Sequence, residues 1–310
     1  MLYEQCPAPP ALQPFVVAFW LVRGRSAARF EKILPGPSAH LVLNLSEPYR
    51  LIVSEPRDPA SGGTGGSVAA DVAHGFYSGL QRSFLISENP EKIFNIGAVL
   101  APFGLAAFTA EPPASLQGTV VDAERIFPGF SSLRAGLKDP TSAQAFAALG
   151  AFLAGRLRPG FAADNRVVSA AAALAEEDVR VASLAARLGV SESTLERIML
   201  RGCGVRPKTY SDVCRFHRFV TAAAALPKGA AAGRELLALA DYYDQPHLIR
   251  AFRRFAGYTP VEYLKVVHDY GPKYATFVPL EDVPGMAAAE RAGSVPGGAG
   301  FIQDRRMAGR

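Results

Sequence analysis

Residues 195–210 (LERIMLRGCGVRPKTY) and 248–263 (LIRAFRRFAGYTPVEY) are one segment written twice at an offset of 53. Six of the sixteen positions are identical: Leu195/Leu248, Arg197/Arg250, Arg201/Arg254, Gly204/Gly257, Pro207/Pro260 and Tyr210/Tyr263. Average composition gives about one such identity by chance. A repeat of this kind means that one structural unit is used twice.

Each copy reads as a helix whose leucine and fourth neighbour (Leu195 and Met199; Leu248 and Phe252) form a buried stripe. The outward positions are then Ser193, Glu196, Arg197 and Leu200 in the first copy, and Pro246, Ile249, Arg250 and Arg253 in the second. Ahead of each lies another apolar helix and a tight turn, VASLAARLGVS (181–191) and RELLALADYYD (234–244). Helix, short turn and second helix with an exposed basic face describe a helix-turn-helix, whose second helix enters the DNA major groove. Ala185 suits close helix approach, Gly189 can take the positive φ of a sharp turn, and Ser191 and Asp244 are good N-caps.

With these features, residues 166–268 resemble the paired helix-turn-helix domain of the AraC/XylS family of bacterial transcription regulators. The matching stretches are SLAARLGVSESTLERI and YYDQPHLIRAFRRFAGYTPVEYL. The second unit departs from the pattern: Leu237 stands where the family has a small residue, and Asp241 where it has glycine. Aspartate tolerates the left-handed region better than most residues, whereas an oversized leucine pushes packed helices apart. The second unit is therefore expected slightly off the usual geometry.

Spacing and charge support two reading heads without appeal to the family. Residues 208–226 (KTYSDVCRFHRFVTAAAAL) contain no Pro or Gly and read as one continuous helix, about 28 Å long at 1.5 Å per residue. Successive major-groove faces lie roughly 34 Å apart, so one chain can set both second helices against one side of a duplex. Residues 165–275 carry 16 Lys+Arg against 11 Asp+Glu, whereas residues 1–140 carry 11 against 12. The net charge of +5 for the whole chain thus resides almost wholly in this half, where attraction to phosphates needs it.

Groove chemistry assigns roles. Arg197 and Arg250 can each donate two hydrogen bonds to guanine, Gln245 can pair with adenine, and Glu196 can accept from cytosine, with Ser193 beside it. In the resembled family base contacts come from these same outward positions, which adds Pro246 and Ile249 as readers of thymine methyls or shape. Arg201, His247, Arg253 and Arg254 are placed for phosphates. The bland alternative for any one arginine is a solvated helix face.

The first half changes texture. Short apolar runs, FVVAFWLV (15–22), HLVLNL (40–45), RLIV (50–53), SFLI (83–86) and FNIGAVL (94–100), are mostly bounded by Pro or Gly and read as strands of a small β-barrel or sandwich. PFGLAAFTA (102–110), AERIFPGFSSLRAGL (123–137) and SAQAFAALGAFLAGRL (142–157) look mainly helical. This half resembles, more loosely, the cupin-like effector domain of many AraC-type regulators, including the entry LPGPSAHLVLNL before a strand. The expected fold class is α+β: a small cupin-like β-barrel followed by an all-α domain of two helix-turn-helix units joined by a long helix. The expected divisions are 1–120 for a sensor or dimerisation domain, 121–164 for a helical connector, 165–270 for DNA binding, and 271–310 for a disordered Ala/Gly/Pro-rich tail.

Other chemistries find little support. A metal cupin needs two or three histidines and a carboxylate, but this half has only His40 and His74, without HxH spacing. GGTGG (62–66) lacks a following GK[ST] and reads as a flexible connection. No nucleophile elbow or zinc-protease motif occurs, and no cofactor or metal is expected. Cys6, Cys203 and Cys214 form no CxxC pair and suit a reducing compartment; the neighbours of Cys6 supply neither metal ligands nor a base for alkyl transfer. The first basic residue, Arg23, follows the apolar run FVVAFWLV, which is too short to span a bilayer.

The sequence thus reads as a cytoplasmic, nucleoid-associated, non-enzymatic regulator of AraC type that binds double-stranded DNA. Its expected partners are a small effector in the first domain, RNA polymerase and a second copy of itself, with no membrane. The alternative is a constitutive DNA-binding protein whose first domain only dimerises or binds a protein partner.

Overall fold

The computed structural model describes residues 1–54, 67–225, 245–270 and 275–280. The first half is two facing antiparallel sheets. Strands β1 (Leu2–Pro7), β2 (Val16–Arg25), β4 (Ala39–Asn44), β7 (Gly75–Ser78), β9 (Lys92–Leu100) and β10 (Val120–Asp122) form one sheet, in the order β1-β2-β9-β4-β7-β10. Strands β3 (Phe30–Ile33), β5 (Tyr49–Ser54), β6 (Ser67–Val72), β8 (Leu85–Glu88) and β11 (Phe277–Leu280) form the other, in the order β11-β3-β8-β5-β6. The expected barrel is therefore an open one, made of two sheets.

Alternation along the strands separates two cores. Phe19, Leu21, Leu41, Leu43, Ile96 and Leu100 point away from the second sheet. There they meet helices α1 (Ala123–Ile126), α2 (Phe130–Gly136) and α3 (Ser142–Ala154) through Phe127, Phe130, Leu149 and Leu153. Each such fully buried side chain stabilises by about 1.5–3 kcal/mol. Thr141 starts α3 with a reciprocal capping box to Gln144. The opposite faces, with Val42, Phe76 and Val120 on one sheet and Tyr49, Leu51 and Leu85 on the other, enclose the core between the sheets. Gly97 is required there, because a Cβ would overlap the Trp20 ring lying on it.

The second half is helical: α4 (Asn165–Glu176), α5 (Val181–Arg187), α6 (Glu192–Cys203), α7 (Pro207–Ala224), α8 (Gln245–Ala256) and α9 (Pro260–Tyr270). The expected rod is α7, at 18 residues about 27 Å long. It is a wall common to both units. Tyr210 and Cys214 belong to the core of α4 to α6, whereas Phe216, Phe219 and Val220 belong to that of α8 and α9. Phe216 stacks on Phe255 at 4.8 Å and meets Phe252 edge-on at 5.1 Å, a specific aromatic cluster.

The two halves touch closely. Tyr210 donates its hydroxyl proton to the Pro37 carbonyl at 3.3 Å. Lys32, buried on β3, donates to the Ala256 carbonyl at the end of α8 (2.9 Å) and lies over the Tyr258 and Phe84 rings at 3.6 and 4.3 Å. Its long stem and ammonium are thus satisfied at an interface where burial pulls its pKa down to about 8.

Part of the expected disordered tail is ordered. Phe277–Leu280 forms β11 and pairs with Ile33–Phe30 of β3, so the second half is not wholly helical. The exposed edge of β3 offers unpaired backbone groups, and β11 satisfies them. The remaining tail from 281, the GGTGG stretch, and the segment 226–244 with Leu237, Asp241 and Asp244 lie outside the described residues.

Candidate nucleic-acid interface

The first unit is built as its sequence requires. Leu184 and Ala185 of α5 are buried, and the chain reverses through Gly189 at φ +65°. The Val190 amide donates to the Ala185 carbonyl at 3.0 Å. Ser191 then caps α6, its hydroxyl accepting from the Thr194 amide at 3.2 Å. Along α6, Leu195, Met199 and Cys203 are buried, while Ser193, Glu196, Arg197, Leu200 and Arg201 are exposed.

The second unit repeats this along α8. Leu248, Ala251, Phe252 and Phe255 are buried; Pro246, His247, Arg250, Arg253 and Arg254 are exposed, and Ile249 is half-buried. Gln245 begins α8; its side chain lies outside the described set.

The six repeated identities now divide by role. Leu195 and Leu248 are core residues. Gly204 (φ +75°) and Gly257 (φ +68°) end their helices in the left-handed region, donating to the Leu200 and Arg253 carbonyls at 3.1 Å each. Pro207 and Pro260 open the following helices, where proline's missing N–H costs nothing. Tyr210 and Tyr263 are buried and bonded to backbone carbonyls, Tyr263 to Val220 at 3.2 Å and Ala275 at 2.8 Å. Only the arginine pairs are exposed in both copies.

Arg197 and Arg250 are exposed, with no ion-pair or hydrogen-bond partner among the described residues. Arg254 differs. Its guanidinium lies 3.4 Å from Asp212 of α7 and over the Phe255 ring at 4.2 Å. Asp212 also takes Lys208 at 3.0 Å and Arg215 at 3.8 Å. Lys208 and Arg215 are helical neighbours of Asp212, but the link to Arg254 lies 42 positions away, beyond the reach of helical periodicity. Arg253 acts near Glu262, whose carboxyl is held below its usual range chiefly by hydrogen bonds at Thr259, with Arg253 and Lys32 adding to the effect. Leu200, 40% exposed, occupies the outward position equivalent to Arg253.

Two helices with one sequence pattern, each buried along one stripe and basic along the other, thus rest on one rod. Residues 184–265 match the family described as a helix-turn-helix domain. The second half of the chain therefore carries a helix-turn-helix domain. The helix-turn-helix match runs through residues 226–244, where the sequence expects the first helix of the second unit. Residues 4–122 match a domain of unknown function (DUF6597). No curated relative matches the chain.

Among solved structures, the chain is similar to ToxT from Vibrio cholerae: 12% identity, 80% of this chain and 98% of that one covered, TM-score 0.43. A ToxT structure bound to (E)-4-(8-methylnaphthalen-1-yl)but-3-enoic acid gives 12% identity, 80% and 99% coverage, and a TM-score of 0.44. The AraC-like transcriptional activator CuxR gives 14% identity, 71% and 86% coverage, and 0.26. With its helix-turn-helix domain, the protein is a DNA-binding transcription regulator.

Proposed function

We propose that this regulator reads two successive major-groove segments with α6 and α8, under the control of a small effector bound in the first half. Ser193, Glu196 and Arg197 meet base edges from α6, and Gln245, Pro246, Ile249 and Arg250 do so from α8. Arg201, His247 and Arg253 meet phosphates, while Arg254 divides its charge between phosphate and Asp212. The observation that carries this reading is the equivalence of Arg197 and Arg250: both are exposed on helices whose opposite stripes pack against the cores flanking α7. A guanidinium in that position can grip guanine in two places.

Control by the first half is supported by where it touches the reading heads. A Cβ on Gly204 would lie 2.5 Å from the Pro113 carbonyl oxygen, and one on Gly257 would lie 2.8 Å from Phe84 and 3.3 Å from Lys32 Nζ. The same corner of each unit therefore rests on the first half, so a change of state there can alter both heads through contacts that differ between states. The divisions 1–120, 121–164 and 165–270 serve as sensor, connector and reader, without catalysis, at the nucleoid in the cytoplasm, and RNA polymerase is the expected partner. Among the described residues no helix is long and apolar enough to cross a membrane.

A second reading, a constitutive regulator whose first half dimerises or binds a protein, draws on the edge strand β1, where Leu2 and Tyr3 are 48% and 60% exposed. Footprinting of one operator with and without candidate metabolites separates the two: protection that changes with a metabolite supports effector control, and protection indifferent to all supports the second.

A further inference from the structure

We infer that the space between the two sheets is a binding site for a small organic ammonium ion, held by Glu31, Asn95 and Tyr49 against Trp20. This rests on reading the first half as the effector domain. Strand register brings these side chains together. On β3, Ile33 packs into the core between the sheets, and Glu31, two residues before it, points the same way. On β9, Ile96 and Ala98 belong to the outer core, so Asn95 and Gly97 face inward. Trp20 lies directly on Gly97, and Tyr49 is part of the inner core.

Among the described residues, the site holds an amide oxygen with no donor and a carboxylate with no cation. Glu31 has no basic partner among the described residues; Asn89 gives it a hydrogen bond. Burial accordingly pushes its carboxyl above the ordinary range. Asn95 is nine-tenths buried, and its Oδ1 has no hydrogen-bond partner, although its amide bonds to Tyr49. Glu31 is close enough to Tyr49 to act on the phenol electrostatically. A buried orphan acceptor and a half-buried carboxylate without a cation each cost free energy that a donor-bearing cation would recover. Trp20 and Glu31 nevertheless keep accessible surface despite facing inward. An ammonium group supplies donors for Glu31 and Asn95 Oδ1, and the Trp20 face suits a cation.

Trp20 is the chain's single tryptophan, so its fluorescence reports on this space. The full-length protein is titrated with benzylamine, benzyl alcohol and benzoate at neutral pH. Benzylamine is expected to change Trp20 emission saturably and to raise the melting temperature; the alcohol and the acid are not. Glu31→Gln, which removes a buried charge and should leave the fold intact, is expected to weaken the amine at least tenfold. Asn95→Asp is expected to tighten it. No saturable response to benzylamine, an equal response to benzyl alcohol, or unchanged affinity in Glu31→Gln overturns the inference. Saturation by benzoate alone overturns the charge class while keeping an effector site between the sheets. Failure of all three compounds, with Trp20 shielded from acrylamide, counts against the effector reading as well.

Discussion

Asp212 on α7 holds Arg254 of α8 at 3.4 Å, tying the second reading head to the rod that also carries the first. Arg254 is 53% exposed, so the pair contributes only about 0–1 kcal/mol to stability. On the proposed reading, its larger effect is on the charge offered to phosphates beside α8. Asp212→Asn should release Arg254 and Lys208 toward phosphate, strengthening binding to all sequences alike and steepening the salt dependence of log K by up to about one unit. Gel-shift titrations across a salt series measure both; an unchanged slope would show that Arg254 does not face the duplex.

Arg197→Ala and Arg250→Ala should each cost about 1–3 kcal/mol of specific binding and relax preference at one base position. Arg254→Ala should weaken every sequence equally. Footprints separate the heads, since loss of Arg250 should shorten protection at one end and loss of Arg197 at the other. Unchanged affinity in both variants would remove α6 and α8 as the reading surface.

Much of this face was legible because helical periodicity is local. The stripes Leu195/Met199 and Leu248/Phe252, the turn at Gly189, the Ser191 cap and the unbroken α7 all follow from neighbours within a few residues. The sheets were harder. His40–Asn44 of β4 is mostly buried on both faces, so alternation does not show which side meets helices and which meets the other sheet. The strands β1, β3, β6, β7 and β10 are not evident in the sequence, being short or of mixed polarity. Pairing of β11 with β3, and Asp212 with Arg254, depends on contacts between distant parts of the chain, for which one sequence carries no periodic signal.

The two glycine corners should respond unequally to substitution. Gly204→Ala and Gly257→Ala both force a side chain into the left-handed region, at about 1–2 kcal/mol each. At Gly204 the added carbon also meets the Pro113 carbonyl at 2.5 Å, which is backbone, whereas at Gly257 it meets the Phe84 ring and the Lys32 ammonium, which can swing away. Thermal melts should therefore rank Gly204→Ala as the more destabilised. If effector control runs through these corners, a folded Gly257→Ala protein should also lose part of its metabolite response in footprints while keeping basal DNA binding. Equal melting temperatures would show that the Pro113 contact is soft.

His40 sets a pH limit on the fold. Burial, reinforced by nearby His217, lowers its pKa to about 4, and burial lowers that of His217 as well. The unfolded chain regains a value near 6.5, so between these values it binds more protons than the folded protein. Stability is then complete above about pH 6.5 and falls as the pH drops toward 4, by up to about 3 kcal/mol for His40. Glu31 works in the opposite sense. Its folded carboxyl titrates above the unfolded one, so acidification through the carboxylate range relieves the cost of its burial. Melting temperatures from pH 7.5 down to 5 should therefore fall in the wild type, and the fall should shrink in His40→Asn. Because His40 lies within electrostatic reach of His217 on α7, acid should loosen the contact between the two halves first. Tyr210 would then lose its bond to Pro37, and limited proteolysis at pH 5 should cut near residues 35–38 before the helical half is degraded. A fall of the same size in His40→Asn would show that His40 does not carry this pH dependence.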